Sequence, residues 1–439
     1  MAQPTLFALS TVSGRAALAV IRLTGAACDA ALTALGVTKL PPPRQAALRK
    51  LTDPHTGALL DEALVLRFQA PHSFTGEDMV ELHVHGGVAV AQSVLVALGR
   101  IAGVEPAEGG AFTRRAVLNG KMDLTAAEAI ADLIDAEGGA QQAQALNQLN
   151  GALRVQLTDW RDRLKTMLAH IEADIEFADE DLPGGIGQKA LDGLPELRDE
   201  IVAHVEDQRG IALRDGLRIA LLGPPNAGKS SILNMLAGRE AAIVSARAGT
   251  TRDIIEVAMT MGGVPVTLVD TAGLRAAGDE IEREGVRRAQ REAGEADIRI
   301  LVCAPDVALA GASETAFAAE KSDLTICNKA DLGPIDGMEG ISLSTATKQG
   351  EEALLAALLR IIEKRTGAQV APIVTRERHR AVLAEALTHL DRATQAAELG
   401  LELAAEDVRL AQRVLGRITG AVDIEQLLDV VFADFCIGK

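Results

Sequence analysis

Short apolar runs and helical periodicities alternate along the chain and divide it into regions of different character. Within residues 1–118, apolar runs at 17–23, 64–68 and 79–84 predict strands, and a helical spacing of apolar residues at 88–101 predicts an amphipathic helix. This combination predicts a compact α/β domain in the first part of the chain.

The pattern becomes helical after residue 118. Residues rich in Ala, Leu, Gln and Glu at helical spacing predict long helices at 119–150, 151–177 and 191–214. Helical patterns return later, at 377–399, 405–419 and 423–432. Because no heptad repeat persists through these segments, we expect a helix bundle rather than a coiled coil.

Strand patterns separate the two helical parts. Apolar runs at 217–222, 264–269 and 324–327 predict buried strands of a parallel sheet. The dipeptide Gly262-Gly263 lies between two alternating apolar runs and predicts a hairpin turn. One antiparallel strand is therefore expected in an otherwise parallel sheet.

The first of these strands leads into a glycine-rich loop. Residues 223–231 read GPPNAGKSS and fit the phosphate-binding pattern G-x-x-x-x-G-K-S/T. Its glycines allow backbone N–H groups to face phosphates, and the helix that follows adds a partial positive charge. Lys229 would reach the β and γ phosphates, and the Ser230 hydroxyl would bind Mg²⁺. An accidental glycine turn is the alternative, but the flanking strand and helix argue against it.

Two motifs that follow predicted strands would complete a nucleotide site. In DTAG at residues 270–273, Asp270 would hold Mg²⁺ through a water molecule and the Gly273 N–H would contact the γ phosphate. In NKAD at residues 328–331, the Asp331 carboxylate can accept hydrogen bonds from two adjacent donors of guanine that adenine lacks. NKAD alone could be a solvated loop, but in register with the other motifs it predicts a GTPase.

Two weaker signals lie where the same site needs them. Thr251, within GTTRD at residues 249–253, would join Ser230 as a Mg²⁺ ligand when GTP is bound, and Ser344-Thr345 has the position of a fifth GTPase motif. The residues that the motifs place at GTP are Asn226, Ala227, Gly228, Lys229, Ser230, Ser231, Thr251, Asp270, Thr271, Ala272, Gly273, Asn328, Lys329 and Asp331.

These patterns predict an α/β multidomain chain in four segments. We expect an N-terminal α/β domain at 1–118 and a discontinuous helical bundle at 119–215 and 371–439. A P-loop GTPase domain with a mixed, mostly parallel sheet is expected as an insertion at 216–370.

Composition and charge narrow the possible partners. The chain is 48% hydrophobic with a net charge of −17, which suits a globular protein and argues against broad nucleic-acid binding. Residues 1–118 hold ten Lys or Arg and nine Asp or Glu, a net of +1 against −18 for the remainder, so any RNA contact should be local. No apolar run could span a membrane, and residues 1–23 lack a basic start and a cleavage site. We therefore expect a cytoplasmic protein.

Cysteines and histidines indicate neither a zinc site nor a disulfide framework. His83 and His85 alternate along a predicted strand, and we interpret them as one core and one surface histidine rather than as metal ligands. None of the four cysteines lies in a CxxC motif or beside histidines at metal spacing: Cys28, Cys303, Cys327 and Cys436.

Over its full length the chain resembles the MnmE (TrmE) family of tRNA-modification GTPases. The matching stretches are PHSFTGED, HGG, LNGKMDL, FADEDLP, GPPNAGKSSILN, AGTTRD, DTAGLR, NKAD and FCIGK, and they lie in every predicted region. The resemblance implies a homodimer that joins an MnmG-type FAD protein in a heterotetramer. The pair would add an aminomethyl or carboxymethylaminomethyl group to the wobble uridine of certain tRNAs, while GTP hydrolysis drives domain movement.

The resemblance also implies a folate site in the N-terminal domain. A tetrahydrofolate derivative, 5-formyl or 5,10-methylene, would supply the one-carbon unit to a folate-binding-type domain that also mediates dimerisation. The residues that match the family's folate contacts are Arg22, Glu81, Lys121 and Lys439. For Arg22 and Glu81 alone, a surface ion pair is the alternative. Cys436 in the tail could take part in the modification chemistry or be an inert packing thiol.

The catalytic machinery implied by the resemblance differs from that of Ras-like GTPases. Leu274 follows DTAG where those proteins carry a water-orienting glutamine, and a leucine cannot orient water. The family uses K⁺ instead of an arginine finger, and a glutamate that maps to Glu282 orients the water. Glu282 alone could equally be a helix-start acid. The implied K⁺ site comprises Asn226 of the phosphate loop with Ser245, Arg247 and Thr250. The loop at 245–250 would also contact GTP through Ser245, Ala246, Arg247, Ala248, Gly249 and Thr250.

Two other functions remain open from the sequence. A ribosome-assembly or signalling GTPase that binds RNA without modifying it would want a basic module after residue 370, where acidic-to-neutral helices are predicted instead. A folate-dependent transferase that is merely regulated by GTP cannot be separated from the main interpretation by sequence.

Overall fold

The computed structural model describes two compact units. It covers residues 3–177, 185–239, 255–270, 291, 294–307, 322–367, 372–397, 399–422, 428, 431–432, 435 and 438. The first unit comprises Met1–Ala131, Leu157–Leu164 and Arg409–Lys439, and the second comprises Asp132–Gln156 and Lys165–Val408.

The first unit is built on a six-stranded sheet with the order β3-β4-β5-β2-β1-β6. All its strand pairs are antiparallel except β1–β6. The strands are β1 (Thr5–Leu9), β2 (Leu18–Thr24), β3 (Ala47–Thr52), β4 (Leu59–Phe68), β5 (Met79–His85) and β6 (Val104–Pro106). The helices beside it are α1 (Cys28–Ala34), α2 (Val88–Leu98) and α3 (Ala111–Leu118), followed by α4 (Leu124–Asp135).

Strict alternation along β2 and β5 divides the residues of this sheet between two faces. Ile21 and Leu82 are fully buried in a core that also includes residues of α1 and α2. The neighbouring positions Arg22 and Glu81 point to the opposite face, because successive side chains of a strand alternate. That second face is partly covered by Phe112 of α3.

The second unit contains a six-stranded sheet with the order β12-β11-β10-β7-β9-β8. Its strands are β7 (Leu217–Leu222), β8 (Ile255–Met261), β9 (Val264–Asp270), β10 (Ile298–Cys303), β11 (Leu324–Cys327) and β12 (Ile341–Ser342). Only β8 is antiparallel to its neighbour, through a turn at Gly262-Gly263, so the predicted mixed, mostly parallel sheet is confirmed.

The second unit also contains several helices that lie entirely within it. They are α5 (Gly139–Leu149), α7 (Ile186–Leu191), α8 (Leu194–Glu206), α9 (Arg209–Asp215), α10 (Lys229–Arg239), α11 (Glu351–Thr366) and α12 (Glu377–Ala396). Helix α4 and two further helices contribute residues to both units, the other two being α6 (Ala152–Glu176) and α13 (Leu401–Thr419). Within the described part of the chain, no helix is both long and apolar enough to cross a membrane.

The predictions of one continuous helix at 119–150 and another at 191–214 are wrong. Residues 119–150 form α4 and α5 with a break before Gly139, because Gly138 is extended and an added Cβ there would collide with the carbonyl oxygen of Gly263. Residues 191–214 form the end of α7 and two further helices, because Asp207 leaves the helical conformation after α8. The helix predicted at 423–432 lies mostly outside the described residues.

The prediction of one core and one surface histidine is also wrong. His83 and His85 point to the same face of β5, since residues two apart on a strand share a face. The His83 Nε2 atom lies 3.2 Å from the Glu81 carboxylate, and the His85 Nδ1 atom lies 2.8 Å from that of Asp61. Neither histidine is part of the core.

We expect the buried Arg115 guanidinium to hold the first unit together. It donates to Glu77 at 2.8 Å and to the carbonyl oxygens of Pro4 and Thr24, and its side chain is 7% exposed. The substitution Arg115→Met leaves Glu77 without its cation, which should cost about 3 kcal/mol. Amide hydrogen exchange of β2 and β5 should therefore accelerate by roughly 100-fold.

The exposed Arg100 provides the control for this measurement. Its contact with Asp53 is 3.6 Å long and its side chain is 51% exposed, so Arg100→Met should cost less than about 1 kcal/mol. Equal exchange rates in the two variants would show that the buried pair does not stabilise this unit.

Candidate functional site

The loop after β7 has a backbone that only glycine allows. Gly223 and Gly228 have φ values of 133° and 96°. An added Cβ would collide with the Val302 carbonyl oxygen at the first glycine and with the Asn328 side-chain amide at the second. The loop therefore lies close against the ends of β10 and β11, in a form that leaves space only for backbone.

Lys229 is the first residue of α10 and turns back over this loop. Its ammonium donates to the carbonyl oxygens of Gly223 at 2.6 Å and Pro224 at 2.9 Å, and the residue is 4% exposed. A buried cation beside the amino end of a helix of this length is suited to bind the phosphates of a nucleotide.

Ser230 and Asp270 lie together at the carboxyl edge of the sheet. Strands β7 and β9 are parallel, and Asp270, the last residue of β9, pairs with Leu221. The Ser230 hydroxyl donates to the Asp270 carboxylate at 2.5 Å, and Asp270 is 1% exposed. A hydroxyl and a carboxylate beside a phosphate loop fit Mg²⁺, which prefers oxygen ligands.

Asn328 connects the loop after β11 to the phosphate loop. Its side-chain amide donates to the Ala227 carbonyl at 2.8 Å, and its backbone N–H donates to the Cys303 carbonyl at 2.7 Å. The residue is 1% exposed, and its Oδ1 atom has no hydrogen-bond partner among the described residues. These hydrogen bonds therefore fix the position of the loop after β11 relative to the phosphate loop.

Asp331 lies in the loop that follows β11, at the carboxyl edge of the sheet. It lies in a 3₁₀ turn, and its Oδ1 atom accepts a hydrogen bond of 2.5 Å from Ser344, which is fully buried. The Ser344 hydroxyl thus orients the carboxylate, as the position of the fifth motif suggests. Asp331 itself is exposed and accessible to a ligand.

Lys329 has a partner that the motifs did not reveal. It adopts a left-handed conformation, with a φ of 57°, and its ammonium lies 2.6 Å from the Asp306 carboxylate. This hydrogen bond lowers the pKa of Asp306. The only signal for Asp306 in the sequence was its position three residues after the end of β10.

Three cysteines in the described part of the chain are packing residues. Burial is the main cause that raises the pKa of Cys28 to about 12 and that of Cys303 to about 11, and it also raises the pKa of Cys327. These thiols stay protonated near neutral pH and are poor nucleophiles.

In the first unit, the structure pairs two of the predicted folate-binding residues. Arg22 and Glu81 are directly opposite on β2 and β5, and their side chains are joined at 2.9 Å. The Glu81 carboxylate also contacts His83. Lys121 packs its stem over Gly76 and donates to the Pro71 carbonyl at 3.0 Å.

The end of the chain reaches the same sheet. Gly438 is buried, and its carbonyl accepts a hydrogen bond of 3.1 Å from the Ser10 hydroxyl. Ser10 pairs with Val20 through its backbone, so its side chain shares the face of Arg22, two residues along β2. The ring centroids of Phe432 and Phe435 lie 4.7 Å apart, with the two ring planes tilted by 57°.

Several predicted site residues lie outside the described residues. They are Ser245, Ala246, Arg247, Ala248, Gly249, Thr250, Thr251, Thr271, Ala272, Gly273, Glu282, Cys436 and Lys439. The described part of the predicted GTP site therefore consists of the phosphate loop, Asp270 and the NKAD loop.

The Asp331 carboxylate should decide which base is accepted. In Asp331→Asn the side chain offers an amide donor to the N1–H and amine of guanine, so GTP affinity should fall by about 10²–10⁴-fold and xanthosine triphosphate should bind better. Asp336→Asn, an exposed carboxylate of the same loop, is the control. Titration with fluorescent nucleotides measures both variants, and unchanged GTP affinity in Asp331→Asn would remove this residue from the base site.

Comparison with known proteins shows which family the chain resembles along its length. The family model for the MnmE helical domain matches residues 124–436, and the model for the GTP-binding protein TrmE N-terminus matches residues 5–121. The chain is 54% identical to the tRNA modification GTPase MnmE of Parvibaculum lavamentivorans over 99% of this chain and 100% of the relative.

Two further relatives show the same extent of similarity. The tRNA modification GTPase MnmE of Paramagnetospirillum magneticum is 50% identical over 99% of both chains. That of Gluconacetobacter diazotrophicus is 50% identical over 100% of this chain and 99% of the relative. With the phosphate loop and the NKAD loop hydrogen-bonded to each other and this similarity along its whole length, the chain is a GTPase and belongs to the MnmE family.

Proposed function

We propose that this protein is a K⁺-dependent GTPase that modifies carbon 5 of the wobble uridine of certain tRNAs in the cytoplasm. It would act as a homodimer together with an MnmG-type FAD protein and add an aminomethyl or carboxymethylaminomethyl group. A tetrahydrofolate derivative, when bound, supplies the one-carbon unit. The relatives named above are called tRNA modification GTPases, which supports this function.

The observation that supports the tRNA-modification part of this proposal is the hydrogen bond that holds Gly438 to Ser10, on the sheet face that carries Arg22. Ser10 and Arg22 project from the same face of the N-terminal sheet, and Ser10 holds Gly438 there. Lys439 is the next residue in the sequence and belongs to the set that is proposed to bind folate. A GTPase that acted only as a molecular switch would not need this contact between Ser10 and Gly438.

The residues on this face fit a folate. The Glu81 side chain is 17% exposed, and its carboxylate oxygens can accept hydrogen bonds from the donor edge of a pterin. Arg22 is 33% exposed and retains donors for a carboxylate, as does the ammonium of Lys121 for a glutamyl tail. In this proposal the chain's own residues bind and orient the donor.

The GTPase half rests on the phosphate loop. Lys229 and Ser230 would hold the phosphates and Mg²⁺, and Asp331 would select guanine. Asn226 has a left-handed backbone, with a φ of 63°, in the loop where the K⁺ site is expected. K⁺ would neutralise charge that other GTPases neutralise with arginine.

Glu282 should orient the attacking water. The substitution Glu282→Ala should leave nucleotide binding intact and slow hydrolysis by ~10²–10⁴-fold, the usual contribution of a positioned acid–base group. Glu284→Ala, two residues further along, is the matched control and should hydrolyse GTP normally. Single-turnover phosphate release measures both. If Glu282→Ala turns over at the wild-type rate, the glutamate has no catalytic role.

The tail should be needed for modification and not for hydrolysis. Deletion of residues 436–439 removes the cation and the segment seated on Ser10, while every described phosphate-loop contact remains. GTP hydrolysis should persist, and modified wobble uridine should disappear from tRNA, as measured by nucleoside mass spectrometry. Cys436→Ser tests the thiol separately. Normal modification by the truncated protein would show that the tail is not part of the folate site.

A further inference from the structure

Helix α5 makes contacts that the GTP site does not require. Its residues Gln141, Gln144 and Gln148 lie three and four positions apart and therefore share one face of the helix. Gln144 and Gln148 are each 4% exposed. Buried amides are costly unless they are hydrogen-bonded, so this row has a structural purpose.

The first two glutamines bind the segment that leads into the GTPase sheet. The Gln141 amide donates to the Arg214 carbonyl at 2.8 Å, and the Gln144 amide donates to the Gly210 carbonyl at 3.1 Å. Both acceptors belong to α9, whose last residue is followed by Gly216 and then by β7.

The third glutamine binds the segment that leaves the GTPase sheet. The Gln148 amide donates to the Ile373 carbonyl, and it lies 3.5 Å from the Thr375 hydroxyl. Asp132 bridges the same two segments, because one carboxylate oxygen accepts from Arg214 at 2.9 Å and from Arg376 at 2.5 Å. The two crossings of the chain, meaning the segment that leads into the GTPase sheet and the segment that leaves it, are thus both hydrogen-bonded to residues 132–148.

The beginning of α5 contacts a different part of the sheet, the turn between β8 and β9. The first N–H groups of a helix have no partner inside the helix. Here the Ala140 N–H donates to the Gly263 carbonyl at 3.1 Å, so the turn caps the helix. Gly138 lies so close to this carbonyl that a side chain would collide with it.

The hairpin formed by β8 and β9 links this turn to the GTP site. At its open end, Asp270 contacts Ser230, and the chain before β8 carries the GTTRD motif at 249–253. Strands β8 and β9 are paired at seven positions, from Ile255 and Asp270 at the GTP end to Met261 and Val264 at the turn, so their backbones connect the two ends. A shift at the GTP end would therefore reach the Gly262-Gly263 turn.

We propose that the contact of Gly138 and Ala140 with the β8–β9 turn transmits the nucleotide state to α5. The glutamine row of α5 then passes it to the two segments that enter and leave the GTPase sheet. The turn, the helix and the two segments form one continuous set of hydrogen bonds, and such networks can carry energetic coupling between sites. This inference rests on the proposed function, since the coupled output is tRNA modification.

Two adjacent glycines provide a matched test. Gly138→Ala introduces a Cβ against the Gly263 carbonyl, whereas Gly139→Ala introduces one into open space. Neither glycine has a positive φ, so alanine at either position can adopt the backbone conformation of the residue that it replaces. In Gly138→Ala, GTP hydrolysis should stay within about threefold of wild type, and modified uridine per GTP should fall about tenfold. Gly139→Ala should match wild type in both.

Hydrogen exchange of residues 139–149 tests the coupling without tRNA. In wild type and Gly139→Ala, exchange should differ several-fold between GDP and GDP with a γ-phosphate mimic, and the difference should vanish in Gly138→Ala. Nucleotide-independent exchange in wild type, or a preserved difference in Gly138→Ala, would overturn the inference. A nucleotide-dependent wild type that modifies no tRNA would instead count against the proposed function alone.

A second pair of substitutions tests the glutamine row. Gln144→Leu removes the buried hydrogen bond to Gly210, while Gln142→Leu makes the same change at an exposed position of α5. Exchange in residues 209–215 should lose its nucleotide dependence only in Gln144→Leu. Retention of that dependence in Gln144→Leu would exclude the row from the relay.

Discussion

The buried side chain of Asn328 holds the two halves of the nucleotide site together. Its amide binds the Ala227 carbonyl in the phosphate loop, and its backbone N–H binds the end of β10. Because β7, β9, β10 and β11 are parallel, their carboxyl ends meet at one edge of the sheet. Buried hydrogen bonds thus hold the phosphate loop and the NKAD loop together, and the neighbouring Gly228 must lack a side chain for this contact to form.

The sequence predicted the GTPase strands well because local signals fix their ends. The predicted strands at 217–222 and 324–327 coincide with β7 and β11, each bounded by a motif residue or a glycine. In the N-terminal unit, β1, β3 and β6 were not predicted. The edge strand β3 leaves Leu48 exposed, and β6 has only three residues, so neither shows a clear alternation. These strands form because of their neighbours rather than their own pattern.

Contacts between distant residues explain what the sequence could not predict. The break at Gly138 depends on the turn at Gly263, and the ion pair of Arg115 and Glu77 closes across α3 and a loop. Asp306 and Lys329 follow the ends of β10 and β11, and they meet because these two strands are paired. By contrast, the phosphate and NKAD motifs were found because each is continuous in the chain. Long-range hydrogen bonds also connect α5 with the segments that enter and leave the GTPase sheet. The sheet is therefore attached to α5 by hydrogen bonds as well as through the chain itself.

The link between this GTP site and tRNA chemistry can be tested directly in cells that lack the gene. Their tRNA should be analysed by mass spectrometry for aminomethyl-type groups on the wobble uridine, after complementation with the wild-type gene or with Lys229→Ala. We expect these nucleosides to be absent without the gene, to return with the wild type and to stay absent with Lys229→Ala, since Lys229 closes the phosphate loop. An unchanged wobble-uridine profile in cells without the gene would contradict this function.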